Sequence, residues 1–236
     1  MVKRVFAMAL LCALLFTAAH AEIAVTRQNG EEWFPSRENW TYHFTYAYPH
    51  LDAPGDDLAA AMVNDTYQMV LEEMLYVVLP MFANAAEPGT KIEVDHDFSV
   101  TCHDGRFLSV VQRRAQRDAA GEDILTLESQ VFDMAGEYLG EALTLRGVVM
   151  VGESSAQITA AVLPVLYAEF ERLQGEGVCR ADVTKEEFEE EFSPTLQFYA
   201  DEQGRAVFFF PPSLLTEPSF EVPVFPFSPE ELEALL

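Results

Sequence analysis

The sequence predicts an α+β fold: a curved, mostly antiparallel sheet with two main helices packed on it and a short C-terminal helix. Three observations predict it. Runs of apolar and polar alternation cluster between residues 42 and 145 and return after 196. Two long amphipathic stretches, near 56–79 and 154–174, stand apart from each other. Strands come in groups between isolated helices, whereas a parallel α/β sheet needs a helix after each strand.

Composition bounds the function. The 236 residues carry 14 Lys+Arg against 39 Asp+Glu, a formal net charge of −25. Hydrophobic residues make up 50%, too many for a disordered chain of that charge. The acid excess excludes a nucleic-acid partner, because the phosphate backbone needs cations. Past the N-terminus no stretch is long and apolar enough to span a bilayer.

Residues 1–21 read as a signal peptide. Lys3 and Arg4 precede an apolar run from Val5 to Thr17, and Ala19-His20-Ala21 is a small-x-small cleavage site. The expected mature chain starts at Glu22, is secreted or held in the cell envelope, and is not an integral membrane protein after cleavage. It keeps Cys102 and Cys179. An oxidising compartment permits a disulfide between them, and two buried free thiols are the alternative. No Cys-x-x-Cys is present, so the cysteines form no zinc site by themselves. Asn39-Trp40-Thr41 and Asn64-Asp65-Thr66 match the glycosylation sequon, a short signal that arises readily by chance.

In chain order, residues 22–40 read as an irregular lead-in containing Gly30 and Pro35. Tyr42 to Tyr48 alternates aromatic with small or polar residues, a strand ended by Pro49. Asp56 or Asp57 caps a helix that reaches Leu79, where Pro80 marks its end. Residues 91–102 form the cleanest strand. Ile92, Val94, His96, Phe98, Val100 and Cys102 point one way, and Glu93, Asp95, Asp97, Ser99 and Thr101 the other. Asp104-Gly105 turns the chain into an antiparallel return from Phe107. Ile124–Phe132 and Tyr138–Leu145, separated by a turn at Asp133–Gly136, complete a meander.

A second helix runs from about Ser154 to Gln174, with Pro164 expected to kink it or restart it. Thr184 and Glu187 make a capping box for a short acidic helix ending at Phe192. A second hairpin turns at Asp201–Gly204. Phe220–Phe227, interrupted by Pro223 and Pro226, suits a sheet edge. Ser228 caps a last helix with Pro229 at its first position.

No catalytic constellation stands out. Glu93, Asp95 and Asp97 share a strand face, which points either to an oxygen-ligand calcium site or to a solvated polar face. His96 sits on the apolar face, as a proton switch or as a satisfied core histidine. There is no His-Glu-x-x-His, no Gly-x-Ser-x-Gly elbow, no phosphate loop and no dinucleotide fingerprint, and no cofactor is expected. Glu186–Glu191 is an acid run, either a solvated helix face or a docking face for a cationic partner.

Several stretches resemble a bacterial extracytoplasmic family. They are Arg106-Phe-Leu-Ser-Val-Val111, Val131-Phe-Asp-Met-Ala-Gly136 with Leu143-Thr-Leu145, and Leu196-Gln-Phe-Tyr199 with Gly204 and Val207-Phe-Phe-Phe-Pro211. Glu221-Val-Pro-Val224 and Glu231-Leu232 follow, with Tyr48-Pro-His-Leu51 and Asn64 upstream. The family occurs in the ectodomain of RsiV-type anti-sigma factors and beside the deacetylase domain of PdaC-type cell-wall enzymes. Ser213–Ser219 departs from its pattern, being shorter and lacking a Tyr and a Gly. The resemblance implies an α+β fold and a sensing or binding role, since RsiV-type ectodomains bind lysozyme.

The chain is therefore expected to divide into 1–21 signal peptide, 22–40 lead-in, 41–105 N-terminal part and 106–236 C-terminal part, the last two packed as one unit. Its expected function is that of an exported non-enzymatic module recognising a cationic protein (lysozyme-like), a peptide or a cell-wall component. A wall-directed carbohydrate hydrolase using carboxylates and a calcium-stabilised structural domain are the alternatives. The expected binding residues are Glu186, Glu187 and Glu190 on the acidic helix, and Leu214, Leu215 and Phe220 on the loop after the second hairpin.

Overall fold

The structure is a computed structural model; it describes residues 23–53, 55–117, 121 and 123–236. The expected signal peptide, residues 1–21, lies outside the described residues. The fold class is as the sequence predicts. A five-stranded sheet has the order β1-β2-β3-β4-β5, and a three-stranded sheet the order β6-β7-β8.

The large sheet is formed by β1 (Ala24–Phe34), β2 (Tyr42–Asp52), β3 (Ile92–His103), β4 (Phe107–Arg117) and β5 (Asp123–Asp133). All neighbours are antiparallel except β2 and β3. That parallel pair needs a crossover. It consists of helix α1 (Leu58–Glu73), a π turn (Met74–Val78) and helix α2 (Leu79–Ala85). Asp57 caps α1 through the Ala60 N–H. Ala59, Ala60, Val63, Tyr67 and Leu71 bury one stripe of the helix against the sheet.

Several expectations are corrected here. Residues 22–40 are not an irregular lead-in, because β1 pairs with β2 over its whole length. Its polar sequence conceals a strand whose order comes from its partner. Gly30 stands opposite Tyr46, and a Cβ there would lie 2.1 Å from the Tyr46 hydroxyl, so the ring packs over the bare backbone. Strand β2 also continues past Pro49, which faces β1 across the pair.

The crossover helix does not end at Pro80. The Leu79 N–H reaches back five residues to the Met74 carbonyl, and this wide turn accommodates a proline that has no N–H to give.

Alternation in β3 breaks at a bulge between Val100 and Cys102, where Thr101 and Cys102 both stand against Ser109. Phe98 belongs to the core under α1, whereas Cys102 is turned into the core on the opposite face.

Residues Tyr138–Leu145 are not a strand. The buried Asp133 carboxylate accepts from the Ala135, Gly136 and Tyr138 N–H groups at 3.2, 2.6 and 3.0 Å and closes a compact loop. Only the Phe132–Ala142 bridge remains of the expected pairing. Thr144 then caps the short helix α3 (Leu145–Val149).

The C-terminal part covers the second face of the sheet. Helix α4 (Ser155–Gly175) runs through Pro164 as one element, so of the two expected outcomes the restart does not occur. Ile158, Val162, Leu166, Phe170 and Leu173 bury its inner stripe. Helix α5 (Lys185–Glu191) has the expected capping box. Strands β6 (Phe198–Ala200), β7 (Ala206–Phe209) and β8 (Val224–Phe227) make the small sheet, with Pro226 on the edge strand as expected. Helix α6 (Pro229–Leu235) closes the chain behind a Ser228 capping box.

Strand β7 is buried on both faces. Phe208 joins the core under α4, and Phe209 meets Val111 and Leu127 of the large sheet. Phe170, Phe188, Phe192 and Phe210 interlock at 4.7–5.8 Å between ring centres. Such aromatic packing adds to the area each ring removes from water. The two sheets are also joined by hydrogen bonds: Thr101 Oγ1 donates to the Ala200 carbonyl at 2.9 Å, and the Ala200 N–H donates to Ser109 Oγ at 3.0 Å. The five-stranded sheet takes strands from both sides of residue 105.

Candidate binding groove

Helix α5 forms because Thr184 and Glu187 satisfy each other's backbone groups. The Thr184 N–H donates to Glu187 Oε2 at 2.8 Å, and the Glu187 N–H donates to Thr184 Oγ1 at 3.3 Å. The bond from the Thr184 backbone holds the Glu187 carboxyl below its ordinary range. Phe188 is the helix's anchor, fully buried among the phenylalanines. Its remaining residues face solvent.

The six expected binding residues separate into three groups. Glu186 and Glu190 are exposed, with their carboxylates presented to solvent. Glu187 is exposed, but its carboxylate is engaged in the cap. Leu214 and Leu215 are corrected: they are 1% and 4% exposed and belong to the core. A 3-10 turn at Pro212–Leu214 folds them inward, and Leu215 bridges to Cys179. A surface leucine pair in a loop reads the same in sequence as a buried one, because no period marks its direction. Phe220 is half-buried and, with Tyr199, Phe209 and Val222, lines a cavity of about 220 Å³ between the two sheets.

The disulfide left open by the sequence is not formed: Cys102 and Cys179 are free, buried thiols. Burial pushes both up to about 11, with the Asp104 charge adding to the effect at Cys102.

A groove of about 590 Å³ lies beside α5, and the sequence reading missed it. One wall is β5 from Ile124 to Gln130, and the other holds Glu191, Leu196, Gln197 and Pro211–Ser213. Ile124 and Leu196 are large apolar side chains more than half exposed there. Glu128 and Glu191 supply the charge, and Ser213 Oγ donates to Glu191 Oε2 at 2.9 Å. Alternation found β5 itself, but not that its outer side would be open.

The other chemical candidates are accounted for by their partners. Asp97 is paired with Arg27 and with Arg113, the latter at 3.0 Å. Partial burial pushes its carboxyl up, but the bonds from Arg27 and the Phe98 N–H outweigh this and hold it below its ordinary range. Asp95 accepts from Thr45 Oγ1 at 2.6 Å. Among the described residues no three His, Cys, Asp or Glu side chains converge as a metal site.

His96 is a buried core histidine. It stacks on Tyr48 at 4.3 Å, and its ring nitrogens lie 3.3 Å from the Ala47 carbonyl and 3.0 Å from Gln112 Oε1. Burial pushes the imidazole below its ordinary value, against those two hydrogen bonds.

The fold defines a class, a two-sheet α+β protein with a crossover helix on one face and a helix-backed small sheet on the other. The chain is similar in fold to two solved members of the DUF3298 family. One, from Pseudomonas aeruginosa, has a TM-score of 0.55 and 16% identity, over 90% of this chain and 94% of that one. The other, from Bacteroides fragilis, has a TM-score of 0.53 and 13% identity, over 90% and 92%. No family model matches the chain. No curated protein matches it either. Among the described residues no helix is long and apolar enough to cross a membrane.

Proposed function

We propose that the protein is an exported binding or sensing module of the RsiV-type ectodomain kind, recognising a cationic protein, peptide or cell-wall component. The observation that carries this reading is the run of exposed carboxylates on α5, Glu186, Glu189 and Glu190, continuing through Glu191 into a groove that Glu128 flanks from the opposite wall. With 39 acids against 14 bases in the chain, this surface lies in a field of one sign. Such a field steers cationic partners and opposes anionic ones.

The resemblance to RsiV-type ectodomains makes lysozyme the natural first probe. Titration of the mature protein with lysozyme at low and high salt tests the reading. Binding at low salt that weakens as salt screens the charges is expected. No binding to lysozyme or to wall fragments at either salt overturns it.

A further inference from the structure

We propose that the outer edge of β5 is a strand-addition site for an extended peptide segment with basic residues at alternate positions. The proposal rests on the binding role above and names the part of the partner that is read.

The phase of the strand fixes which groups face outward. Asp133 N–H donates to the Glu141 carbonyl at 3.0 Å, and Leu143 N–H donates to the Val131 carbonyl at 2.7 Å. These bonds lie on the side of β5 away from β4. Backbone groups alternate sides along an antiparallel strand, so those of Leu125, Leu127 and Ser129 also point outward. The 141–143 segment covers the last two outward positions of the strand. Along the next three, no backbone partner is present among the described residues.

The one charged side chain on this stretch is Glu128. Natural sheets protect open edges with Lys, Pro or a bulge. Ile124–Ser129 has none of these, and its register with β4 runs without a shift. The opposite edge of the sheet, β1, differs: its Thr26–Glu32 stretch is polar and charged.

The groove supplies side-chain recognition. A peptide laid along β5 sends its side chains alternately to the two faces of the sheet. On one face they meet Ile124 and Glu128, and on the other the wall of Leu196, Pro211, Pro212 and Glu191. Both faces offer an exposed apolar side chain and a carboxylate, which fits basic residues with aliphatic stems or neighbours. A second copy of this chain meets this edge with the same carboxylates, so pairing of two β5 edges is opposed by charge.

The test uses the mature protein and a fluorescent octapeptide of alternating Lys and Val. A second peptide of the same sequence is N-methylated at every other amide, which removes the N–H groups on one side and keeps every charge. The parent peptide is expected to bind at low salt. The N-methylated peptide is expected to bind at least about tenfold more weakly, since several hydrogen bonds are lost together. Replacing Glu128 and Glu191 by Gln weakens the parent peptide, and the parent peptide competes with lysozyme.

Equal affinity for the two peptides overturns the strand-addition site, because charge alone then suffices. Lysozyme binding without peptide binding overturns it too, and leaves the binding role standing. Failure to bind either one removes both readings. Sedimentation that shows a dimer, broken by Leu125→Pro, overturns the choice of occupant.

Discussion

Asn64 on α1 closes the open end of β2: its Oδ1 accepts from the Leu51 N–H at 2.8 Å, and its Nδ2 donates to the Leu51 carbonyl at 3.0 Å. Beyond Tyr46 the parallel partner β3 has left β2. One side-chain amide thus takes the place of a strand and ties the crossover helix to the sheet it covers. Nδ2 is also the atom a glycan would occupy, so the Asn64-Asp65-Thr66 sequon is engaged internally in the folded chain.

Asn64→Ala leaves a backbone N–H and C=O at Leu51 without partners in a partly buried place. The expected loss is about 2 kcal/mol, read as a lower urea midpoint with an unchanged slope. Asn64→Asp keeps the acceptor, places a carboxylate against the Leu51 carbonyl, and is expected to fall between wild type and the Ala variant.

His96 gives a pH dependence whose sign follows from burial. The fold favours the neutral ring, so the imidazole is less basic folded than its ordinary 6.5. Below that pH the unfolded chain binds more protons than the folded one, and stability present above it is lost as the pH falls. The groups facing it across the small cavity, Arg114 and Glu128, act in opposite directions on the ring. Unfolding free energy measured from neutral to mildly acidic pH is expected to decline more steeply in wild type than in His96→Gln.

Asp133 and Gly136 form one unit. A Cβ on Gly136 would stand 2.4 Å from Asp133 Oδ2, so the carboxylate that organises the loop also requires the glycine. Asp133→Ala is expected to cost about 3 kcal/mol, because three N–H groups lose a charged acceptor. Gly136→Ala is expected to destabilise through the same contact. The double variant is expected to cost less than the two added together, which thermal melts of the four proteins would show.

The thiols give a test of the unbridged state. With Cys102 and Cys179 both pushed up to about 11, the thiolate fraction at pH 8 is about a thousandth. Slow alkylation in native buffer and rapid alkylation in urea are expected. The melting temperature is expected to be the same with and without reductant, whereas a bridge would lose about 4 kcal/mol on reduction.

Much of the fold was legible because local chemistry specifies local structure. Thr184 with Glu187 and Ser228 with Glu231 announced their helices, and both capping boxes are present. Asp104-Gly105 announced its hairpin, and Asp104 accepts from the Arg106 and Phe107 N–H groups. Pro226 announced an edge strand, which β8 is. The acidic helix was also legible as the place where exposed carboxylates gather.

The rest of the candidate site was not legible. Leu214, Leu215 and the open side of β5 depend on what lies next to them. Alternation tells which side chains a strand buries, but it does not name the neighbouring strand or count how many there are.

By itself the sequence determined the α+β class, the main elements with their caps and turns, and the acid excess, because each is set by residues a few positions apart. Tertiary structure alone decided that the polar stretch from Ala24 becomes an edge strand. It also decided that Thr101 bulges and turns Cys102 into the opposite core, and that the outer side of β5 from Leu125 to Ser129 has no backbone partner among the described residues. Those outcomes depend on pairing between segments distant in the chain, where the energy of a contact is shared by two stretches and neither alone records it.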